Sequence, residues 1–178
     1  GRVELEADRV ILSGGEATLH PAFQNFIRYA RDAGYSRVQT VTNGYMLADL
    51  PFYEACVAAG LGEITYSLHG HDEELHDRLT GTEGAFRRIT KGIARTVRDE
   101  RVICNVDIVI NKQNVAVLDR VVELAISLGV REFDLMHVIP QAAAFENRDE
   151  LFYDPANHID VLRKVFSLNR HPGFVVWT

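Results

Sequence analysis

Short apolar runs alternate with longer stretches in which apolar residues recur every three or four positions, and this rhythm sets the fold class. Runs at 9–13, 37–42, 63–69, 102–110 and 132–139 predict strands, with a weaker sixth at 174–177. Helices are predicted between them. The first, 21–33, carries Phe23, Phe26, Ile27 and Ala30 on one stripe, and 49–59 carries Leu50, Tyr53 and Val57. Segments 85–97, 115–128 and 158–168 repeat the pattern with Phe86, Ile89, Ile93 and Val97, with Leu118, Val121, Val122 and Ala125, and with Val161, Leu162, Val165 and Phe166. Gly34, Gly60 and Gly129 each follow a helix, where a left-handed cap is expected. Alternating strand and helix implies parallel strands joined by right-handed crossovers. Strands apolar on both faces belong to a sheet covered by helices. A closed eight-fold barrel needs about 250 residues, so 178 residues predict one α/β domain, 1–178, shaped as a partial (β/α) TIM-like barrel of about five to six units. The polar, aperiodic segment 141–155 is expected to loop across one mouth of it.

Composition narrows the function classes. Hydrophobic residues make up 47% and charged residues 25%, as in an ordinary globular domain. A net charge of −6 argues against nucleic acid as a partner, because phosphate binding needs clustered cations. Arg87, Arg88, Lys91 and Arg95 do gather, but at helical spacing they read as a solvated face. No apolar run reaches the ~20 residues of a membrane span, and the N-terminus lacks a signal-peptide pattern. Cys56 and Cys104 form no paired framework, which fits a reducing cytoplasm.

The candidate chemistry lies where the strands end. The stretch Val10-Ile11-Leu12-Ser13-Gly14-Gly15-Glu16-Ala17-Thr18-Leu19-His20-Pro21 places two glycines and a carboxylate directly after a buried strand. Glycines there let a ligand approach the backbone, and Glu16 offers one fixed negative charge. The next strand closes on Thr42-Asn43-Gly44, the third on Ser67-Leu68-His69-Gly70-His71, and the fifth on His137-Val138-Ile139-Pro140. In the fourth, Asn105, Asp107 and Asn111 share one face. Each of these has a plain structural explanation alone, as a turn, a cap or a backbone partner. Their recurrence at successive strands points to one ligand-binding rim.

These residues resemble those of the radical S-adenosylmethionine (SAM) enzymes. The stretch from Gly14 to Pro21 is similar to their Gly-Gly-Glu-Pro-Thr-Leu-His-Pro segment, with Ala17 in place of the proline. Ser67 to Gly81, followed by Gly84-Ala85-Phe86, resembles their fourth strand and helix, and Val109 to Asn114 their fifth-strand exit. The likeness runs from about Arg9 to Pro140. It implies a barrel core whose first unit is missing. It further implies that Gly14, Gly15 and Glu16 receive the ammonium of SAM, with Thr42 and Asn43 near the methionyl end. Ser67 and Asn105 would hold the ribose or carboxylate, and Val138 and Ile139 would lie against adenine. In such enzymes a 4Fe-4S cluster, held by Cys-x-x-x-Cys-x-x-Cys, reduces SAM to a 5′-deoxyadenosyl radical that takes hydrogen from a substrate. No such cysteine spacing occurs here. The expectation is that the cluster loop lies upstream in a longer parent, so that this chain alone is inactive. No metal ligands are assigned within it. The partners implied are a small-molecule or peptide substrate and an electron donor, with neither nucleic acid nor membrane.

Two other readings remain open on the sequence. Glu16, His69, His71 and His137 fall near strand ends, as in a metal-dependent barrel hydrolase or isomerase. A degenerate, non-catalytic barrel that binds a nucleoside or a partner protein is the other.

Overall fold

The computed structural model describes residues 7–168 and 175–176. Six strands follow one another in sheet order: β1 (Arg9–Leu12), β2 (Arg37–Thr42), β3 (Glu63–Ser67), β4 (Ile103–Ile110), β5 (Glu132–His137) and β6 (Val175–Val176). The pairs β1–β2, β2–β3 and β5–β6 are parallel. Between strands run α1 (Phe23–Asp32), α2 (Leu50–Ala58), α3 (Glu73–Thr80), α4 (Ala85–Thr96) and α5 (Leu118–Ser127). After β5 come α6 (Ala142–Glu146), α7 (Arg148–Leu151) and α8 (His158–Leu168). This is the α/β partial-barrel arrangement that the alternation predicts.

The strands end earlier than predicted at three exits, β1 at Leu12, β3 at Ser67 and β5 at His137. The segment 141–155 is not one loop, because it contains α6 and α7. Of the weak strand at 174–177, Val175 and Val176 are described, whereas Phe174 and Trp177 lie outside the described residues.

The chain gathers into two compact units, Gly1–Ser67 with Arg87–Asn105, and Leu68–Phe86 with Val106–Thr178. In the first unit, α1 buries Phe23, Ile27 and Ala30, while Phe26 of the expected stripe is 45% exposed. Likewise α2 buries Tyr53 and Cys56 and leaves Leu50 exposed. Asp49 caps α2 by accepting from the Phe52 N–H at 3.0 Å, with Pro51 in the first turn. Register sets Gln39 opposite Glu63, so alternation sends Val38, Ile64 and Tyr66 to the other, fully buried face. There Gly92 lets α4 approach closely, since an added Cβ would sit 3.0 Å from the Tyr66 ring.

The second unit has its own core, with Leu68, Ile108, Ile110, Leu118, Val121, Val122 and Phe133 at or near zero exposure. Its α3 escaped the periodicity reading because it is short and mostly charged. Its signals are at the ends. Asp72 accepts from the Leu75 N–H at 2.9 Å, Glu73 and Glu74 complement the helix dipole, and Gly81 closes it at φ +64°.

Candidate functional site

In the first unit, the exits of β1 and β2 are tied together by one carboxylate. Glu16 Oε1 accepts from the Thr18 N–H at 3.1 Å, the Thr18 hydroxyl at 2.5 Å and the Thr42 hydroxyl at 2.8 Å. Among the described residues its Oε2 accepts from the Asn43 N–H alone, at 2.7 Å. A carboxylate offers about two acceptor sites on each oxygen, so Oε1 is fully committed and Oε2 keeps one lone pair. Thr42 is 2% exposed, and its oxygen also accepts from the Gly44 N–H at 3.1 Å, so it orients Glu16. The Asn43 side-chain oxygen in turn accepts from the Tyr45 N–H at 2.9 Å.

Gly14 and Gly15 sit beside this carboxylate at φ +106° and +49°. Both conformations favour glycine, and an added Cβ would meet no atom within 4 Å at either position. The backbone there faces open volume.

The structure sets Asn105 apart from that corner. It lies near the start of β4, where its amide donates to Glu63 Oε1 at 2.8 Å. Glu63 begins β3, opposite Gln39 in β2, and Arg9 and Arg37 approach its other oxygen at 3.6 and 3.8 Å. Thr42 is three residues further along β2, or about 10 Å at strand rise. Alternation does give Asn105, Asp107 and Asn111 one face, but the strand spreads them along its length. Ser67 closes β3 at the end of the first unit.

In the second unit, the strand exits are fixed by a network that sequence reading did not single out. Asn114, fully buried, donates to the carbonyls of His69 and Val109 at 3.0 Å each and accepts from the Asn111 N–H at 2.8 Å. Nδ1 of His69 accepts from the Val109 N–H at 3.3 Å, which places its ring proton on Nε2. The His69 N–H in turn donates to His76 Nδ1 at 3.2 Å. Burial pushes both imidazoles down to about 4, so both are neutral at pH 7. A signal for Asn114 existed in Asn111-Lys112-Gln113-Asn114, where two amides three apart suit a side-chain-bonded turn. His69, Arg78, Asn111, Lys112 and Val138 line a cavity of about 900 Å³ in this unit. The Val138 N–H donates to the Ile110 carbonyl at 3.1 Å, and Ile139 is 60% exposed.

Cluster chemistry finds no ligands among the described residues. Iron–sulfur clusters are held by thiolates, usually three or four. Only Cys56 and Cys104 are present, and burial pushes both thiols up to about 12. The hydrolase reading fares no better. No three His, Cys, Asp or Glu side chains gather as a metal site among the described residues. His71 pairs with Asp72 at 3.2 Å.

A parallel α/β core with its polar residues at the strand exits defines a protein that binds ligands at that rim. The pattern of the Radical SAM superfamily matches residues 2–125, and the chain belongs to that superfamily. It is 32% identical over 149 residues to a probable GTP 3′,8-cyclase of Saccharolobus islandicus (strain L.S.2.15 / Lassen #1), covering 82% of this chain and 47% of the relative. A protein of the same description from Sulfurisphaera tokodaii is 30% identical, over 78% of this chain and 43% of its own. The chain thus spans about half the length of these relatives. Among solved structures, Streptococcus suis SuiB bound to S-adenosylmethionine superposes with a TM-score of 0.71 at 16% identity, over 96% of this chain and 39% of SuiB. TYW1 with a lysine-pyruvate adduct gives 0.69 at 18% identity, over 94% and 51%. At those identities the two structures speak for the fold.

Proposed function

We propose that this chain is the SAM-binding core of a longer radical SAM enzyme, and one observation carries the reading. Glu16 is anchored by four hydrogen bonds yet keeps a free lone pair on Oε2, beside open volume at Gly14 and Gly15. That arrangement fits the ammonium of a methionyl group. The fixed carboxylate supplies the counter-charge, and the glycine carbonyls supply further acceptors. Thr42 and the Asn43 N–H hold the carboxylate in place, so it need not reorganise when the ligand arrives. Ser67 and Asn105 are assigned to the ribose or carboxylate end, and Val138 and Ile139 to adenine, on resemblance to the family. The burial of Asn105 against Glu63 makes it the weakest of these assignments.

A 4Fe-4S cluster, where bound, supplies the electron that splits SAM. The described residues do not fit it, so its cysteines are assigned to chain beyond these 178 residues, and the fragment alone is expected to be inactive. An electron donor and a small-molecule or peptide substrate complete the proposal. The relatives named as probable GTP 3′,8-cyclases make GTP the first substrate to try. A cytoplasmic location is proposed with it, on two free cysteines that suit a reducing compartment.

The test uses the full-length parent, reconstituted anaerobically with iron and sulfide. Reductive cleavage of SAM to methionine and 5′-deoxyadenosine is expected. Glu16→Ala should weaken SAM binding by about 1–3 kcal/mol. Unchanged SAM affinity in that variant would overturn the assignment.

A further inference from the structure

One hydrogen-bond donor on the wall of the second unit's 900 Å³ cavity has no partner. His69 lines that cavity together with Val109, Asn111 and Val138. Its Nδ1 accepts from the Val109 N–H at 3.3 Å, so the ring proton sits on Nε2, at the opposite edge of the ring. No acceptor is bonded to Nε2 among the described residues. Nor is Nε2 enclosed, since the buried side-chain atoms left without a partner among those residues belong to Gln39, Glu63, His71 and Asn105. An atom neither bonded nor enclosed meets open space, and the open space beside His69 is this cavity.

We propose that the His69 Nε2–H donates to a ring nitrogen of the adenine of SAM, so that His69 selects a purine carrying an acceptor at that edge. This rests on the placement of the adenosyl end at Val138, which lines the same cavity. The donor is fixed before the ligand arrives. The His69 N–H donates to His76 Nδ1 at 3.2 Å, and its carbonyl accepts from the Asn114 amide at 3.0 Å. A side chain held in this way loses little freedom on binding.

The donor is also uncharged. Burial, and secondarily His76, push the imidazole down to about 4, so at pH 7 it presents an N–H without a positive charge. Flanked by the aliphatic Val109 and Val138, such a group suits a neutral planar heterocycle, whose orientation one well-placed polar contact can fix. The cations of the cavity are drawn to their neighbours instead. Arg78 donates to Gln113 at 3.1 Å and to Glu74 at 3.3 Å, and Lys112 to the Asp149 carbonyl at 3.1 Å. The Asn111 amide donates to the Val109 carbonyl at 3.2 Å, and its oxygen accepts from the Gln113 N–H at 2.9 Å. Asp149 and Glu150, which also line the cavity, carry carboxylates that accept and cannot serve a ring nitrogen.

Binding of adenosine and of its 1-, 3- and 7-deaza analogues to the 178-residue chain tests this, because each analogue replaces one ring nitrogen by C–H. One analogue should bind roughly three- to tenfold more weakly than adenosine, the range expected for one uncharged hydrogen bond. In His69→Phe, adenosine should weaken by the same factor and that analogue should not, so the discrimination disappears. A purely structural role for His69 would weaken all four ligands alike. His69→Gln keeps an N–H donor and should keep part of the discrimination. The wild-type series and the Nε2–H proton resonance need no variant to fold, and that resonance should move with adenosine but not with the discriminated analogue. Equal affinity of the wild type for all four ligands, no binding of adenosine, or discrimination unchanged in His69→Phe overturns the proposal. The SAM-binding function fails on a different result, unchanged SAM affinity in Glu16→Ala, so the two failures are distinguishable.

Discussion

Two corners of this protein do similar mechanical work with opposite leftovers. In the first unit Glu16 ties the exits of β1 and β2, and in the second Asn114 ties the exits of β3 and β4. Asn114 is fully buried, with both amide donors and its carbonyl oxygen engaged. Burial leaves no part of it open to a ligand. Glu16 is only part-buried, is acceptor-only, and retains a lone pair next to the open backbone of Gly14 and Gly15. A buried amide with both donors engaged is the residue for fixing a loop. A carboxylate held by its neighbours but not saturated by them is the residue for binding a cation. The difference predicts that damage to the Asn114 corner appears in stability, and damage to the Glu16 corner in ligand affinity.

The largest effect is expected from Asn114→Ala. It strips the His69 carbonyl and the Asn111 N–H of buried partners, each loss worth about 1–3 kcal/mol, for a total of about 4 kcal/mol. Urea unfolding should show a correspondingly lowered midpoint. A loss below about 1 kcal/mol would mean that the network is decorative and would erase the contrast.

Acid offers the next largest handle. His69 and His76 are held down near 4 by burial, below an unfolded value of about 6.5. The unfolded chain therefore takes up protons that the folded chain refuses. Stability is fully present above about pH 6.5 and drains away as pH falls toward 4, by roughly 3 kcal/mol for the interacting pair. Asp99, in the first unit, is held near 2 chiefly by hydrogen bonding from Arg101, and its contribution is lost only below about pH 3.8. The two windows do not overlap. Hydrogen exchange at pH 5 should accelerate around residues 69–76 and 109–114 before it does around 38–44. Uniform acceleration would refute the separation.

Sequence reading located the strands and the Glu16 corner because both depend on local signals, namely apolar runs and a Gly-Gly-Glu turn. It overextended β1 by Ser13, and β3 and β5 further, since Leu68-His69 and Val138-Ile139 remain apolar or neutral after the pairing has stopped. It missed α3, whose signals are its caps, and it put Phe26 on the wrong side of the buried stripe. Asn114 and the Asn105–Glu63 pair escaped because their partners are 45 and 42 residues away. No local window contains such contacts.

Two glycine substitutions sharpen the comparison at its smaller end. Gly44, at φ +76°, would place an added Cβ 3.0 Å from the Ile89 and Tyr66 side chains and 3.2 Å from the Ile89 backbone. Gly44→Ala combines backbone strain with overpacking and should cost about 2–3 kcal/mol, read as a lowered Tm.

Gly14→Ala is the opposite case. Its φ of +106° imposes strain of about 1 kcal/mol, but the new methyl group meets no protein atom within 4 Å. Stability should fall by about that strain and no more, less than for Gly44→Ala. If the open volume beside Glu16 is the ammonium site, however, the methyl group occupies space the ligand needs. SAM affinity of the reconstituted parent should then fall at least about tenfold, roughly 1.4 kcal/mol. Gly14 supplies none of the four hydrogen bonds that anchor Glu16, so the anchoring does not account for such a loss. Normal SAM binding by a stable Gly14→Ala protein would show that the ligand does not use this volume, and the lone pair on Oε2 would have to be explained by solvent alone.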